Sequence, residues 1–566
     1  MKVRAFLGLS LLALLASPAL AQSTPPADQP ASAAVPSAAP AGPPPAFVIA
    51  DVHESPHRSR PFFPGPFRSG DRYILRQATM LDLIMTAYGV DASNASYIQD
   101  GPSWLEWDRF DIIAKVPPAT PPDTVKLMLR SLLADRFKLV VHNGTKPLPA
   151  YVLTVGKGKP NLKDSDGTGE PGCKYLPPPP NLPPGTPYDF SFSCHNTSME
   201  SFMHTSLNWG QQDYMNSLPI IDSTGLKGNY DFDVHWTGLG FLGRAGSDGT
   251  TVFAAVDKQL GLKLDLETAP RPVLIVDTVN EKPTPNSADL ERILPTPPPP
   301  EFEVATIKPS KPDEQPNGRM TKDEFKIQAL PLKIAITYAW DLNQNDPDEL
   351  VGAPKWLDSD QFDIDAKVSI DAQASGGPNG MPIEEDDFRQ MLRALLIDRF
   401  QMKVHMEDRP IDSYALIAVN PKLKKADPST RTLCANGPGP DGKDPRLTNP
   451  ALNRLIHCQN MTMAQIGDEL RLQAPGFIRS PVFDATNFPG TWDFTLSFST
   501  ADQLRAATPA GGAPPAAGGA SAPSEPNGAV SLFDAVTKQL GLKLEKQKHS
   551  APVLVVDHME EKPTEN

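Results

Sequence analysis

The chain is written twice, and that constrains its fold more than any other feature. Phe47-Val-Ile-Ala-Asp-Val returns as Phe302-Glu-Val-Ala-Thr-Ile. Trp104-Leu105, then Phe110-Asp111-Ile112 and Ala114-Lys115-Val116, match Trp356-Leu357, Phe362-Asp363-Ile364 and Ala366-Lys367-Val368. Met128-Leu-Arg-Ser-Leu-Leu-Ala-Asp-Arg-Phe137 matches Met391-Leu-Arg-Ala-Leu-Leu-Ile-Asp-Arg-Phe400. Lys258 to Leu264 recurs unchanged as Lys538 to Leu544, and Pro272-Val-Leu-Ile-Val-Asp277 matches Pro552-Val-Leu-Val-Val-Asp557. Both of these endings run into Glu-Lys-Pro-Thr. A repeat this long and this exact requires two domains of one fold in tandem. It also supplies a test, because a function shared by both copies must leave matched reactive residues.

The rest of the chain divides around the repeats. Residues 1–21 read as a signal peptide: Lys2 and Arg4 precede an apolar run from Ala5 to Ala16, and Ala19-Leu20-Ala21 offers small residues at the cleavage site. That run is well short of the ~20 residues needed to cross a bilayer, so no stable membrane span is expected after cleavage before Gln22. Residues 22–46 are rich in Pro, Ala and Ser and read as a disordered tether, because they offer almost nothing to bury. Residues 47–286 and 301–566 are the two repeats, joined by a Pro-rich linker over 287–300. The second repeat carries an Ala/Gly/Pro-rich insert near 506–528, read as a surface loop.

Within a repeat the period alternates between helical and extended. Leu81 to Tyr88 predicts a short helix and Phe110 to Val116 a strand. Thr120-Pro121-Pro122-Asp123 reads as a helix start with Thr120 as cap. Val125, Met128, Leu129, Leu132 and Leu133 then fall on one face, as do Phe388, Met391, Leu392, Leu395 and Leu396. Leu139 to His142 and Tyr151 to Val155 suggest a pair of strands. A last helix runs from Ser531 to Gly541, followed by separate strands at Leu542 to Leu544 and Pro552 to Val556. Without a strict βαβ rhythm, the fold class is α+β, a mixed helix and antiparallel-sheet domain in two copies.

Four cysteines fall two to a copy. In an exported chain, Cys173, Cys194, Cys434 and Cys458 predict the bridges Cys173–Cys194 and Cys434–Cys458. Zinc would need four ligands, and His195 beside Cys194 has Gln459 at its matched place, so no metal is expected. The formal net charge of −14, from 53 basic and 67 acidic residues, excludes a nucleic-acid partner. No cofactor motif, Gly-x-Ser-x-Gly elbow or His-Glu-x-x-His helix is present.

The duplicated polar and aromatic residues are the remaining functional candidates. His142 and His405 are the matched histidines. Asp111/Asp363, Asp135/Asp398, Asp222/Asp484, Asp231/Asp493 and Asp277/Asp557 are matched carboxylates, which hydrolysis would have to bring together in pairs. Asp135-Arg136 reads as a local ion pair or cap, and Asp222 as a turn residue. Trp104/Trp356 and Tyr151/Tyr414 either stack on a ligand or anchor strands in a core.

Taken as a set, the motifs quoted above resemble an uncharacterised family of secreted proteins abundant in soil acidobacteria, built on a domain of unknown function. Related domains are also appended to membrane sensor peptidases of the β-lactam-receptor type, whose zinc motif this chain lacks. The resemblance implies export and an envelope setting and supplies no catalytic residues. The resulting expectation is a tandem binding module with an envelope or extracellular ligand. A secreted carboxylate-dependent hydrolase, with Asp111 and Asp363 as its test residues, and a structural envelope component are the alternatives.

Overall fold

A computed structural model describes residues 43–565 apart from 57, 59–60, 183–185, 216–217, 246–247, 312–313, 322, 345, 369–382, 440, 450 and 508–527. The expected signal peptide, most of the tether and most of the insert lie outside the described residues. The first copy begins with β1 (Ile49–Glu54), β2 (Phe67–Ser69), β3 (Arg72–Thr79), α1 (Met80–Tyr88), β4 (Ile98–Asp100), β5 (Arg109–Lys115) and α2 (Pro122–Arg136). It continues with β6 (Val140–Val155), β7 (Lys163–Asp164), β8 (Gly172–Leu176), β9 (Asp189–Thr197), α3 (Met199–Tyr214), β10 (Ile220–Asp222) and β11 (Tyr230–Thr237). The short α4 (Leu242–Ala245), α5 (Val252–Leu260) and β12 (Leu262–Thr278) complete it, and one turn of helix, α6 (Leu290–Ile293), follows.

The second copy repeats this order. It runs through β13 (Val304–Pro309), β14 (Asn317–Met320), β15 (Glu324–Pro331), α7 (Leu332–Ala339), β16 (Leu350–Val351), β17 (Gln361–Lys367) and α8 (Glu385–Arg399). Then come β18 (Lys403–Ala418), β19 (Lys424–Lys425), β20 (Leu433–Asn436), β21 (Arg454–Met461), α9 (Met463–Gln473), β22 (Val482–Asp484) and β23 (Trp492–Phe498). It ends with α10 (Ala501–Ala507), α11 (Leu532–Ala535, running on to Leu540) and β24 (Leu542–His558). The α+β class holds in both copies.

Each copy contains two cores. In the first copy, the antiparallel sheet β1-β5-β3-β2 packs on α1 and α2, around residues such as Leu75, Ile84, Phe110, Leu129 and Phe137. The sheet β7-β11-β9-β8 packs on α3 and α5, around Phe192, Phe202, Val234, Trp236 and Val256. The strand pair β6/β12 joins them, with Leu274 and Val276 buried in one core and Leu153, Leu262 and Leu264 in the other. β18/β24 does the same in the second copy.

These ribbons correct the sequence reading. Leu139 to His142 and Tyr151 to Val155 do not pair with each other; apart from Leu139, they lie on the single strand β6. Leu542 to Leu544 and Pro552 to Val556 likewise lie on the single strand β24. The prolines that look like breaks are harmless for a register reason. Tyr151 N–H points away from β12, toward the Pro219 carbonyl, so Pro147 and Pro149, at even spacing from it, also face outward. No ladder bond is lost where proline lacks its N–H. The solvent-exposed, charged middle of β24 imitates a loop only because both faces of the ribbon are wet there.

Helix ends elsewhere are set by local signals. Thr79 caps α1 in a reciprocal box with Asp82. Ser531 caps α11, and Gly541 ends that helix at φ +67°, as Gly261 ends α5 at +68°. The start of α2 is displaced by one residue: Pro121 holds the cap position, while Thr120 hydroxyl donates to the Pro117 carbonyl. Val125, Met128, Leu129 and Leu133 are buried and Leu132 is half-buried. All five predicted positions on α8 are buried, each stabilising by roughly 1.5–3 kcal/mol. Both disulfides form as expected, one per copy, between directly opposed residues of β8/β9 and β20/β21.

Candidate functional site

Most matched residues hold the backbone. Asp111 is buried, and its Oδ1 accepts from Gln77 N–H at 2.8 Å and Ser55 Oγ at 2.5 Å. Asp363 accepts from Ala329 N–H at 3.1 Å and Ser310 Oγ at 2.6 Å. Gln77 and Ala329 occupy bulges with φ of +56° and +52°, a region costly for residues with a Cβ, so each carboxylate secures a strained corner. Asp231 and Asp493 repeat the device, accepting from Asn196 N–H at 2.9 Å and Asn460 N–H at 3.0 Å, again at positive φ. Asp222 and Asp484 close turns onto Thr224 and Thr486 N–H, both at 2.8 Å.

The arginines matched between the copies are also structural. Arg130 and Arg393 donate to the Ala87 and Ala339 carbonyls at the ends of α1 and α7. Arg136 does not pair locally with Asp135. It reaches the Thr284 and Ala50 carbonyls, and Arg399 reaches those of Ala305 and Glu565, so each ties the Glu-Lys-Pro-Thr strap to the first strand of its copy. Asp135 and Asp398 stay exposed at helix ends. Trp104 and Trp356 are half-buried against Phe110 and Phe362, each with ring centroids 6.2 Å apart, and Tyr151 and Tyr414 are buried.

One matched polar pair has no such backbone duty. His142 Nδ1 lies 2.8 Å from Asp277 Oδ2, and His405 Nδ1 lies 2.8 Å from Asp557 Oδ2. Both pairs stand on the exposed surface of a ribbon, diagonally across its two strands. With Nδ1 engaged, Nε2 of His142 is left to face solvent or a ligand. His405 is raised above the ordinary imidazole value chiefly by its bond to Asp557, with Glu407, 3.6 Å from Nε2, adding to it. Gly144 stands where Glu407 does, so His142 lacks that second acid. Beside the first pair opens a depression of about 580 Å³ lined by Asp100, Gly101, Pro102 and residues Ile275 to Asn280. Lys146 bonds Asp100 at its edge. At the Asp100 position the second copy has Gly352, so the two sites are similar but not identical.

Sequence reasoning missed a second polar cluster, formed between the copies. Arg58 donates to Asp386 at 2.5 Å. Arg76 lies between Asp111 of its own copy, at 3.6 Å, and Glu384 of the other, at 3.5 Å. Glu384 is buried and caps α8, accepting from Asp386 and Asp387 N–H at 2.9 and 3.1 Å. Burial pushes its carboxyl up to about 7, with Arg76 opposing and Asp386 and Asp387 adding. Further along, Arg431 pairs with Glu106 at 2.9 Å and Thr432 N–H donates to the Ser103 carbonyl at 2.9 Å. Trp107 packs against the β21/β23 core of the other copy. Four of these are unmatched: Gln328, Pro121, Ser359 and Glu170 stand where the other copy has Arg76, Glu384, Trp107 and Arg431, while Asp358 keeps the acid of Glu106 and pairs with Lys333 instead. Reading the repeat for its differences would have found them.

Among the described residues, no group of three His, Cys, Asp or Glu side chains is arranged to hold a metal, and no helix is long and apolar enough to cross a membrane. The family model described as "Protein of unknown function (DUF3738)" matches residues 81–279 and again residues 333–559. Neither the curated proteins nor the solved structures contain a match.

Proposed function

Because the chain belongs to the DUF3738 family of proteins of unknown function and carries its domain twice, we propose a role from its own geometry: it is an exported tandem binding module of the cell envelope. The observation that carries this reading is the recurrence of the His–Asp pair at 2.8 Å, exposed, in both copies. In the first copy its ligand-facing group is the Nε2 edge of His142, and the pair adjoins a depression flanked by Asp100 and Asp277; in the second copy the same edge of His405 is shared with Glu407. Such a site favours a ligand that presents hydrogen-bond donors or a cationic group. Two sites on one chain add avidity when both are engaged. Disulfides in both copies suit an oxidising compartment.

Hydrolysis through Asp111 and Asp363 is set aside, because the two carboxylates lie in different copies and each is occupied in its own bulge. The test is cosedimentation of the mature protein with purified cell-wall sacculi and with envelope membrane vesicles. The native chain is expected to bind one of them, and the double variant His142→Ala/His405→Ala to bind at least tenfold more weakly while keeping its circular dichroism. Unchanged binding by the variant would remove these sites. Failure of the native chain to bind either fraction would remove the envelope-binding reading.

A further inference from the structure

We propose that the contact between the copies is a pH-dependent latch, which closes as the medium acidifies. It rests on geometry of two kinds. One contact sets the first copy's Arg58, Arg72 and Arg76, with Asp111 behind them, against the head of α8. There the second copy presents Asp341, Glu384, Glu385, Asp386 and Asp387, with Arg389 and Arg393 among them. Arg76 Nε is buried without a hydrogen bond, facing Glu384 across the junction. The other contact joins Arg431 to Glu106, with Asp82 of α1 acting on the same carboxyl, and Thr432 to Ser103.

Both contacts hold carboxyls out of water, and this sets the sign. Burial raises Glu384 to about 7 and raises Glu106 and Asp387 in the same direction, although arginines oppose all three. When the copies separate, Glu384 is hydrated and returns toward its ordinary value of 4.5. Closure therefore takes up a proton between those limits. It is strongest below pH 4.5 and weakens as pH rises through 7, by up to about tenfold for each unit separating the two values.

The Thr432 amide is the reporter, since its bond runs to the other copy. Hydrogen exchange of the full chain, corrected for intrinsic rate, is compared at pH 5.5 and 8.0. About tenfold or more opening at Thr432 is expected at the higher pH. Glu384→Gln can still cap α8 but does not titrate, and its pH difference should shrink severalfold, leaving only what Glu106 and Asp387 contribute. Arg76→Gln, the residue found at the matched position 328, should open at both values while the β21 core stays protected. Equal exchange at both pH values in the native chain would overturn the latch. An undiminished pH difference in Glu384→Gln would overturn the part given to Glu384.

Discussion

Arg431 of the second copy lies 2.9 Å from Glu106 of the first, and its Nη2 also donates to the Ile98 carbonyl at 2.8 Å. The pair is largely buried, so removing one member leaves the other charged and uncompensated. Arg431→Ala should cost about 3 kcal/mol of stability, read as a lower denaturant midpoint. Glu106→Gln/Arg431→Met should recover most of that loss, because the replaced pair no longer demands charge compensation.

Asp111→Ala and Asp363→Ala should each cost about 2–3 kcal/mol in urea unfolding, since each abandons a buried N–H at a strained bulge. Asp277→Ala and Asp557→Ala, on the exposed ribbons, should leave the midpoint unchanged at alkaline pH, where the histidines are neutral. Equal losses in all four variants would give the His–Asp pairs a structural duty instead.

His405 should titrate above the usual imidazole range in proton-detected NMR, and Asp557→Asn should lower it. Because the folded value is raised, the protonated pair favours the folded form at low pH, and that contribution fades as pH rises through the histidine's own value. His457 should move the other way, since burial lowers it against the pull of Asp493 and Asp441.

Non-reducing mass analysis should find Cys173 linked to Cys194 and Cys434 linked to Cys458, with no peptide joining the two pairs. Replacing either pair by serine should destabilise the protein by about 3 kcal/mol, because each bridge closes a loop of about two dozen residues.

The duplication made the cores legible. Matched apolar positions such as Leu129 and Leu392 became buried helix faces, and the start read at Ser531 is the cap of the last helix, whereas the cap at Thr79 went unread. The ribbons escaped notice because Pro147 and Pro149 signal a break unless the direction of each N–H is known, and that follows only from pairing. The candidate site was half legible: His142 and His405 stood out as matched, while their bonds to Asp277 and Asp557 depend on a register that spans more than a hundred residues. The junction was invisible to a search for likeness, since it is built from positions where the copies differ.

That asymmetry has a consequence for assembly. Each half of the junction exists once: Arg76 and Glu106 on the first copy, Glu384 and Arg431 on the second. At the chain's outer ends the equivalent places hold Gln328 and Ser359, or Pro121 and Glu170, which offer one another no complementary charge. Head-to-tail contacts of this kind propagate into filaments when they are self-compatible. Here the growth rule is used up after one step, so the two copies cannot exchange places or recruit a third, and their order along the gene has become part of the fold.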